Sequence, residues 1–328
     1  MKTDFQKIGI TQLRYIDTSR HFKNSDRILD VLFWYPVDSK EKTEKIEYGA
    51  WKMHDAARNA PCSLAKGKLP LILFSHGYSG YPQANSWFAE RLAQNGFIVA
   101  SVRHWGNASP DLIPELSAKA WNRPKDLSFV LDKILKDPKW KNCIDENRIG
   151  AAGYSQGGLA CLWVGGLTGN LTRSILHEQI TVIDDPNVLK NFTEEDFKDA
   201  NRSYKDERIK AAFAMAPALD DRNLMFKGDG LSKIKIPVYI VVGECEDESV
   251  IEEYAKPFAK NIPNCMLNIL PGKVTHWTLL NEGAEGKENE PFFNLTKDDP
   301  SISRKNIHDK IASLAVEFFN RNLNQCKG

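Results

Sequence analysis

The sequence predicts an α/β fold, with a mostly parallel central sheet and helices on both faces. Short apolar runs such as LPLILFSHG (69–77) have the length and composition of buried parallel strands. Segments with helical spacing of apolar residues separate these runs along the chain. This alternation of strands and helices is typical of a parallel sheet that is covered on both sides.

The first elements depart from the alternation. Residues 5–16 and 27–36 are rich in β-branched and aromatic residues, which predicts two antiparallel strands. The strands predicted after them are 69–77, 97–104, 148–154, 209–217, 236–244 and 265–270. The helices predicted between and after these strands are 84–95, 123–135, a helix directly after Ser155, 249–260 and 305–322.

Residues 170–206 interrupt this order, because they are polar, acidic in places and only weakly helical. A structureless loop of this length is uncommon inside a compact domain. We therefore expect one domain over residues 1–328 with a lid inserted at 170–206, the alternative being a surface linker. The lid would use apolar residues near its start to cover the site: Leu171, Ile175, Leu176, Ile180, Val182 and Ile183.

Composition limits the classes of partner. The 328 residues have a net charge of +1, so no basic surface argues for nucleic acid or an acidic membrane. No apolar run reaches the length of a transmembrane helix. The start, MKTDFQKIGI, carries charges where a signal peptide has an apolar run, which predicts a cytoplasmic protein, or an exported one whose leader has been removed. The 6 cysteines lack a Cys-x-x-Cys pair, which favours free thiols over a zinc site and leaves pairing open.

Three glycines surround one serine in AAGYSQGGLA (151–160). Ser155 follows a predicted strand and precedes a predicted helix, the setting of a Gly-x-Ser-x-Gly nucleophile elbow. A sharp turn there holds the hydroxyl clear of the backbone, and a Cβ at Gly153 or Gly157 would collide with the neighbouring chain. The pattern therefore predicts that Ser155 is a nucleophile.

Two backbone N–H groups are candidates for an oxyanion hole. Gln156 begins the helix after the serine, so its N–H points toward the reacting centre. Tyr78 lies in the loop FSHGYSG (74–80) after an earlier strand and would supply the second N–H. His76 precedes the serine, and we interpret it as a packed residue that braces this loop.

The order Ser, Asp/Glu, His places the base and the acid after Ser155. Among the later histidines, His177 lies in the insertion and His308 in a helical pattern. His276 lies in a loop just past a strand and is the expected base. The acid should follow the strand IPVYIVVGE, where Asp247 and Glu246 are both available. Asp is the commoner choice, so Asp247 is preferred, with Glu246 as the alternative.

The chain resembles the α/β-hydrolase superfamily, specifically the dienelactone-hydrolase-like and platelet-activating-factor-acetylhydrolase-like serine esterases, and it is also similar to the bacterial cutinase and polyester-hydrolase branch. The resemblance covers nearly the whole chain. The motifs that carry it are DVLFWYP, LILFSHGYSG, RPKDLSFVLD, RIGAAGYSQGG, AKPFAKNIPN, VTHWTLL and RKNIHDKIASLAVEFF. Dienelactone hydrolases use a cysteine nucleophile, whereas this chain has Ser155, which implies general ester hydrolysis. The family's acid is usually an Asp before a small-residue–Pro turn, and EDESVI lacks that Pro, so the choice between Asp247 and Glu246 stays open.

Together these features predict a serine hydrolase that cleaves carboxylic esters through an acyl-enzyme, with no cofactor and no metal. Trp105, Tyr154 and Trp277 are candidates to line an apolar acyl or aryl pocket, and ordinary packing is the alternative for each. The expected partner is a small-molecule or lipid ester. Two other functions stay open: an amidase, peptidase or thioesterase on the same fold, and a non-catalytic binding protein that kept the fold. Acyl length and oligomeric state are not predicted.

Overall fold

The computed structural model describes residues 7–65, 67–178, 188, 190–218, 226, 229–246 and 250–324, with only the backbone described at 176–178. Eleven strands run through these residues: β1 Ile8–Phe22, β2 Ser25–Pro36, β3 Glu47–Tyr48, β4 Trp51–Lys52, β5 Ala57–Arg58, β6 Leu69–Ser75, β7 Ile98–Arg103, β8 Ile144–Tyr154, β9 Ile209–Met215, β10 Val238–Gly243 and β11 Cys265–Leu270. The α-helices are α1 Ser86–Gln94, α2 Pro114–Ser117, α3 Asn122–Lys136, α4 Gln156–Val164, α5 Arg173–Glu178, α6 Glu194–Asn201, α7 Lys256–Asn261 and α8 Arg304–Leu323.

Within these residues, 9 strands form one sheet in the order β11-β10-β9-β8-β6-β7-β2-β1-β5. Neighbouring strands pair in parallel along the part of the sheet that consists of β11, β10, β9, β8, β6 and β7. β2 pairs antiparallel with β7. This arrangement confirms the predicted α/β architecture. All of β6 is buried, as its apolar run requires, because helices cover both faces of the sheet.

The helices divide between the two faces. α1 and α8 contact each other on one side, where the Trp87 and His308 rings stack 3.9 Å apart. α3 and α4 contact each other on the other side. The glycine-rich start of α4 lets that helix lie close to the sheet, since a Cβ on Gly158 would meet the Pro217 backbone at 3.1 Å.

The strand order reverses around β6. The chain leaves β6 through α1 to reach β7 on one side, and it later places β8 on the other side of β6. Such a reversal opens a crevice at the carboxyl ends of the strands, where α/β proteins bind ligands. The segment after β6 begins at His76, and the segment after β8 begins at Ser155, so both candidate loops meet at this crevice.

The N-terminal hairpin is longer than predicted. The predicted strands cover 5–16 and 27–36, whereas β1 continues to Phe22 and the chain turns over two residues into β2. A bulge between Asp17 and His21 shifts the register there. Alternating polar residues can extend a strand whose outer end faces water.

Residues 250–261 also differ in detail from the predicted helix over 249–260. The chain forms a π-helical turn at Val250–Ala255 and becomes α-helical only at Lys256. Pro257 lies at the start of the α-helix, where a missing N–H is tolerated.

Candidate active site

Ser155 lies at the turn between β8 and α4. Its backbone has φ 55° and ψ −123°, a conformation that costs a non-glycine residue about 1–3 kcal/mol. The turn is held by a hydrogen bond from the Ser155 N–H to the Met215 carbonyl, 2.8 Å long. A strained serine at the N-terminus of a buried helix is the geometry that the elbow pattern predicts.

The glycines on either side make this turn sterically possible. A Cβ on Gly153 would lie 2.1 Å from the Gly157 carbonyl oxygen. A Cβ on Gly157 would lie 1.9 Å from the carbonyl oxygen of Ser75, at the end of β6. Because both obstacles are backbone atoms, neither position admits a side chain without moving the elbow itself.

The loop after β6 lies directly against the serine. A Cβ on Gly77 would be 3.5 Å from the Ser155 Cβ and about as close to the Tyr154 ring. Tyr78 is the next residue, and its side chain is half exposed. On the other side, buried Gln156 is the first residue of α4, where a backbone N–H has no partner within the helix. The two predicted oxyanion donors therefore belong to segments that flank Ser155.

His76 is completely buried beneath this loop. Its Nδ1 donates to the Gly77 carbonyl at 2.8 Å, and its Nε2 accepts the His104 N–H at 3.3 Å, a tautomer assigned from the partners. Burial, with the nearby Arg123 cation, lowers the pKa of His76 well below its usual value. His76 is thus a neutral residue that braces the loop, as the sequence order suggested.

His276 and Glu246 meet at the carboxyl end of the sheet. The His276 Nδ1 lies 3.0 Å from Oε2 of Glu246, whose side chain is 1% exposed. Hydrogen bonds from Glu244 N to Leu270 O and from Cys245 N to Val274 O join the turn after β10 to the loop after β11. Asp247, the preferred acid in the sequence, lies outside the described residues.

Tyr154 connects the histidine to the elbow. Its hydroxyl donates to the His276 carbonyl at 3.0 Å, and the two rings lie 4.8 Å apart. Burial raises the pKa of Tyr154 well above its usual value, so the hydroxyl stays protonated. The residue before the nucleophile therefore fixes the backbone of the candidate base.

An apolar pocket of about 240 Å³ opens beside the loop and the histidine. Of the three candidate pocket residues, Tyr154 and Trp277 line this cavity, whereas Trp105 lies against the Arg27 guanidinium at 5.9 Å. The lining residues are Trp51, Gly77, Tyr78, Ser79, Gly80, Tyr81, Ala84, Asn85, Tyr154, Trp277, Leu280, Phe292 and Leu295. Most of this surface is aromatic or aliphatic, so it suits an apolar group. Ser155 and His276 do not line the pocket themselves, whereas their chain neighbours Tyr154 and Trp277 do.

The far wall of the pocket comes from two segments that sequence reasoning did not connect. Trp51 forms an isolated antiparallel bridge with Gly283, and the Ala284 N–H donates to the Ala50 carbonyl at 2.8 Å. The Trp51 ring also donates its N–H to the Tyr81 hydroxyl at 2.6 Å. The aromatic residues at 48 and 51 are a local sign of burial in the sequence. The sequence around Trp51 gives no sign of its pairing with Gly283.

Part of the predicted lid can be placed. Within 170–206, the Phe192 ring packs on Trp121 at 5.6 Å, and Asp196 pairs with Lys119 at 2.6 Å. The described part therefore docks near the start of α3. Leu171 is buried and Ile175 packs on the core, whereas the Leu176 side chain and Ile180, Val182 and Ile183 lie outside the described residues. The lid stays a prediction.

Comparison with known proteins supports the same fold. The structure of a ferulic acid esterase from Streptomyces cinnamoneus matches with a TM-score of 0.63 over 98% of this chain and 92% of that one, at 19% identity. The family model for platelet-activating factor acetylhydrolase, isoform II, matches residues 38–110.

The chain has the fold of the α/β-hydrolases.

Curated relatives match this chain over shorter regions. A putative esterase, YitV, of Bacillus subtilis is 28% identical over 39% of this chain and 49% of its own length. Lipase 1 of a Moraxella species is 30% identical over 34% of this chain and 31% of its own length. Cutinase est1 of Thermobifida alba is 33% identical over 26% of this chain and 27% of its own length. The matches thus span half or less of these relatives.

Two further observations concern the described residues only. None of their helices combines the length and the apolar character that crossing a bilayer requires. No group of three His, Cys, Asp or Glu side chains among them is arranged to hold a metal ion.

Proposed function

We propose that this α/β-hydrolase is a serine hydrolase of carboxylic esters, with Ser155 as nucleophile and His276 as base. The observation that carries the proposal is the strained Ser155 at the start of α4, in a crevice where a histidine is hydrogen-bonded to a buried carboxylate. Strain of this kind is destabilising, and a nucleophile elbow explains its presence.

In the proposed first step, the Ser155 Oγ attacks the ester carbonyl while His276 Nε2 takes the hydroxyl proton. The carbonyl oxygen becomes an oxyanion that accepts hydrogen bonds from the Tyr78 and Gln156 N–H groups. The imidazolium then gives its proton to the leaving alcohol oxygen as the C–O bond breaks. Water hydrolyses the acyl-enzyme by the same route, with His276 again taking a proton, and Ser155 is restored.

We propose Glu246 as the acid, with Asp247 as the alternative. Two features support Glu246: the 3.0 Å contact between its Oε2 and the His276 Nδ1, and the burial of its carboxylate. A buried carboxylate at Nδ1 fixes the tautomer that leaves Nε2 free to accept the serine proton, and it stabilises the imidazolium.

The pocket supports an ester with a small apolar acyl or aryl group. A cavity of about 150 Å³ lined by apolar side chains holds a benzene molecule. The pocket here measures about 240 Å³, which is enough for one ring or a medium-length aliphatic chain. The proposal includes a lid at 170–206 that completes the pocket.

Active-site labelling tests the proposal. A fluorophosphonate probe should label the wild-type protein at Ser155, and Ser155→Ala should lose both the label and hydrolysis of p-nitrophenyl esters. Ser313→Ala, on the exposed face of α8, is the matched control and should keep both. Labelling at another serine would contradict the assignment, and a wild-type protein without label or turnover would favour the non-catalytic alternative. Matched anilide and thioester substrates separate esterase from amidase, peptidase and thioesterase activity.

A further inference from the structure

A buried arginine lies directly beneath the loop that carries Tyr78. Arg123, in the first turn of α3, is 1% exposed. Its NH1 donates to the Ser75 hydroxyl at 3.1 Å and also to the His76 carbonyl, and its NH2 donates to the Gly77 carbonyl at 2.9 Å. One guanidinium therefore holds three consecutive residues at the end of β6.

The bonds to the Gly77 carbonyl fix the direction of the Tyr78 N–H. The Gly77 carbonyl and the Tyr78 N–H belong to the same peptide group, and this peptide is not among the cis bonds of the described chain. In a planar trans peptide the two groups point in opposite directions. Arg123 shares this carbonyl with the His76 Nδ1 and the Gly80 N–H, and because these donors hold the carbonyl in place, the N–H must point to the other side of the loop.

A second contact extends this network to the other donor segment. The Asn107 Oδ1 accepts two hydrogen bonds, one from Arg123 NH2 at 3.2 Å and one from the Ser79 N–H at 3.2 Å. The Asn107 Nδ2 donates to the Gln156 side-chain oxygen at 2.8 Å. Arg123 and Asn107 thus connect the loop of Tyr78 with the first residue of α4.

The carboxylate nearest to Arg123 along α3 is already paired with other groups, so the positive charge of Arg123 acts on the loop. The Asp126 carboxylate, one turn along α3, is taken by Arg27 at 2.6 Å, Arg20 at 2.9 Å and His104 at 2.8 Å. Burial, with the nearby Arg123, lowers the pKa of His104 to about 4, so this histidine is neutral near pH 7. No carboxylate of the described residues forms an ion pair with Arg123 directly. A cation that donates to a peptide carbonyl polarises that peptide, which makes its N–H a stronger donor.

We propose that Arg123 and Asn107 are positioning residues for the oxyanion hole. Arg123 orients and polarises the Gly77–Tyr78 peptide. Asn107 holds Gln156 at a fixed position relative to this peptide through its hydrogen bond to the Gln156 side chain. The inference rests on the proposed function, because it assigns these two residues to the same site. Neither residue touches the substrate, and both act through the backbone donors.

Arg123→Lys and Asn107→Ala test the inference, and Arg91→Lys on α1 is a matched control for loss of a partly buried arginine. Two readouts are needed: kcat per fluorophosphonate-titrated site on p-nitrophenyl butyrate, and the inhibition constant of an alkyl boronic acid, whose adduct with the serine carries a negative oxygen. Removing an oxyanion donor costs about 10²–10³ in kcat, so a misaligned donor should cost roughly tenfold to hundredfold.

The expected result is a fall in kcat with an unchanged KM and a parallel loss of boronic acid affinity in both variants, while Arg91→Lys retains both. A purely structural role would lower the number of titratable sites and leave kcat per site unchanged, and that result overturns the inference. Unchanged kcat and boronic acid affinity also overturn it. Should Arg123→Lys fail to fold, Asn107→Ala decides alone. Failure of the proposed function is distinguishable, because the wild-type protein would then show no label at Ser155.

Discussion

Replacing Glu246 with Gln removes the charge behind His276 while keeping the size of the side chain. The carboxylate is 1% exposed, and its Oε2 lies 3.0 Å from Nδ1. The amide oxygen of Gln can accept the same hydrogen bond, so the ring should keep its place. The change therefore tests the carboxylate charge rather than the packing.

The expected effect follows from the separation of the two groups. Coulomb's law with an effective dielectric constant of about 20 gives roughly 5 kcal/mol for unit charges 3.0 Å apart. The imidazolium charge is spread over the ring, and 23% of the His276 side chain is exposed, which reduces the figure to about 3–4 kcal/mol. Each 1.36 kcal/mol is tenfold in rate, so kcat should fall by about two to three orders of magnitude.

The assay is kcat on p-nitrophenyl butyrate at pH 8, normalised by fluorophosphonate titration. Asp247→Asn, at the next residue of the sequence, is the matched control, and it should leave kcat nearly unchanged. A large loss in Asp247→Asn with a small loss in Glu246→Gln would refute the choice of Glu246. Small losses in both variants would mean that the acid lies on another strand.

Three further changes test other parts of the structure. Gly157→Ala should abolish activity and lower the melting temperature, because its Cβ would lie 1.9 Å from the Ser75 carbonyl oxygen; an active, stable variant would contradict the elbow geometry. His54→Gln should reduce the free energy of unfolding in urea more at pH 6 than at pH 9. The hydrogen bond to the buried Glu90 carboxylate raises the pKa of His54 above 6.5, so the stabilisation is complete below pH 6.5 and is lost as the pH rises through the raised value. An equal effect at both pH values would refute this. Trp51→Ala should shift the acyl-length preference on p-nitrophenyl esters toward longer chains, and unchanged selectivity would place the acyl group elsewhere.

The sequence predicted the elements that obey a local pattern. β6 and β8 are apolar runs followed by glycine-containing turns, so their ends, and with them Ser155, could be located without a structure. Parallel pairing then brings the carboxyl ends of these strands together. His276 could be located as well, since it is the histidine after Ser155 that follows a strand directly.

Contacts between irregular segments could not be predicted. Glu246 and Asp247 are adjacent carboxylates in a turn without periodicity, so the backbone angles of that turn decide which one faces His276. The bridge between Trp51 and Gly283 joins distant parts of the chain, and neither segment shows a local sign of the other. Burial of Arg123 had a partial signal, because Arg123, Asp126 and the apolar Leu127 and Val130 share one face of α3 at helical spacing.

The pocket wall has a consequence for how the protein matures during its synthesis. Domains emerge from the ribosome N-terminal end first. Ser155 and the loop that carries Tyr78 emerge early, whereas the part of the pocket wall at 277–295 emerges late. This part is held in place by Arg304, which donates to the carbonyls of Leu280, Asn281 and Leu295. Ser155 therefore leaves the ribosome before His276 does, and the pocket wall can take its place only after Arg304 and α8 have left the ribosomal tunnel.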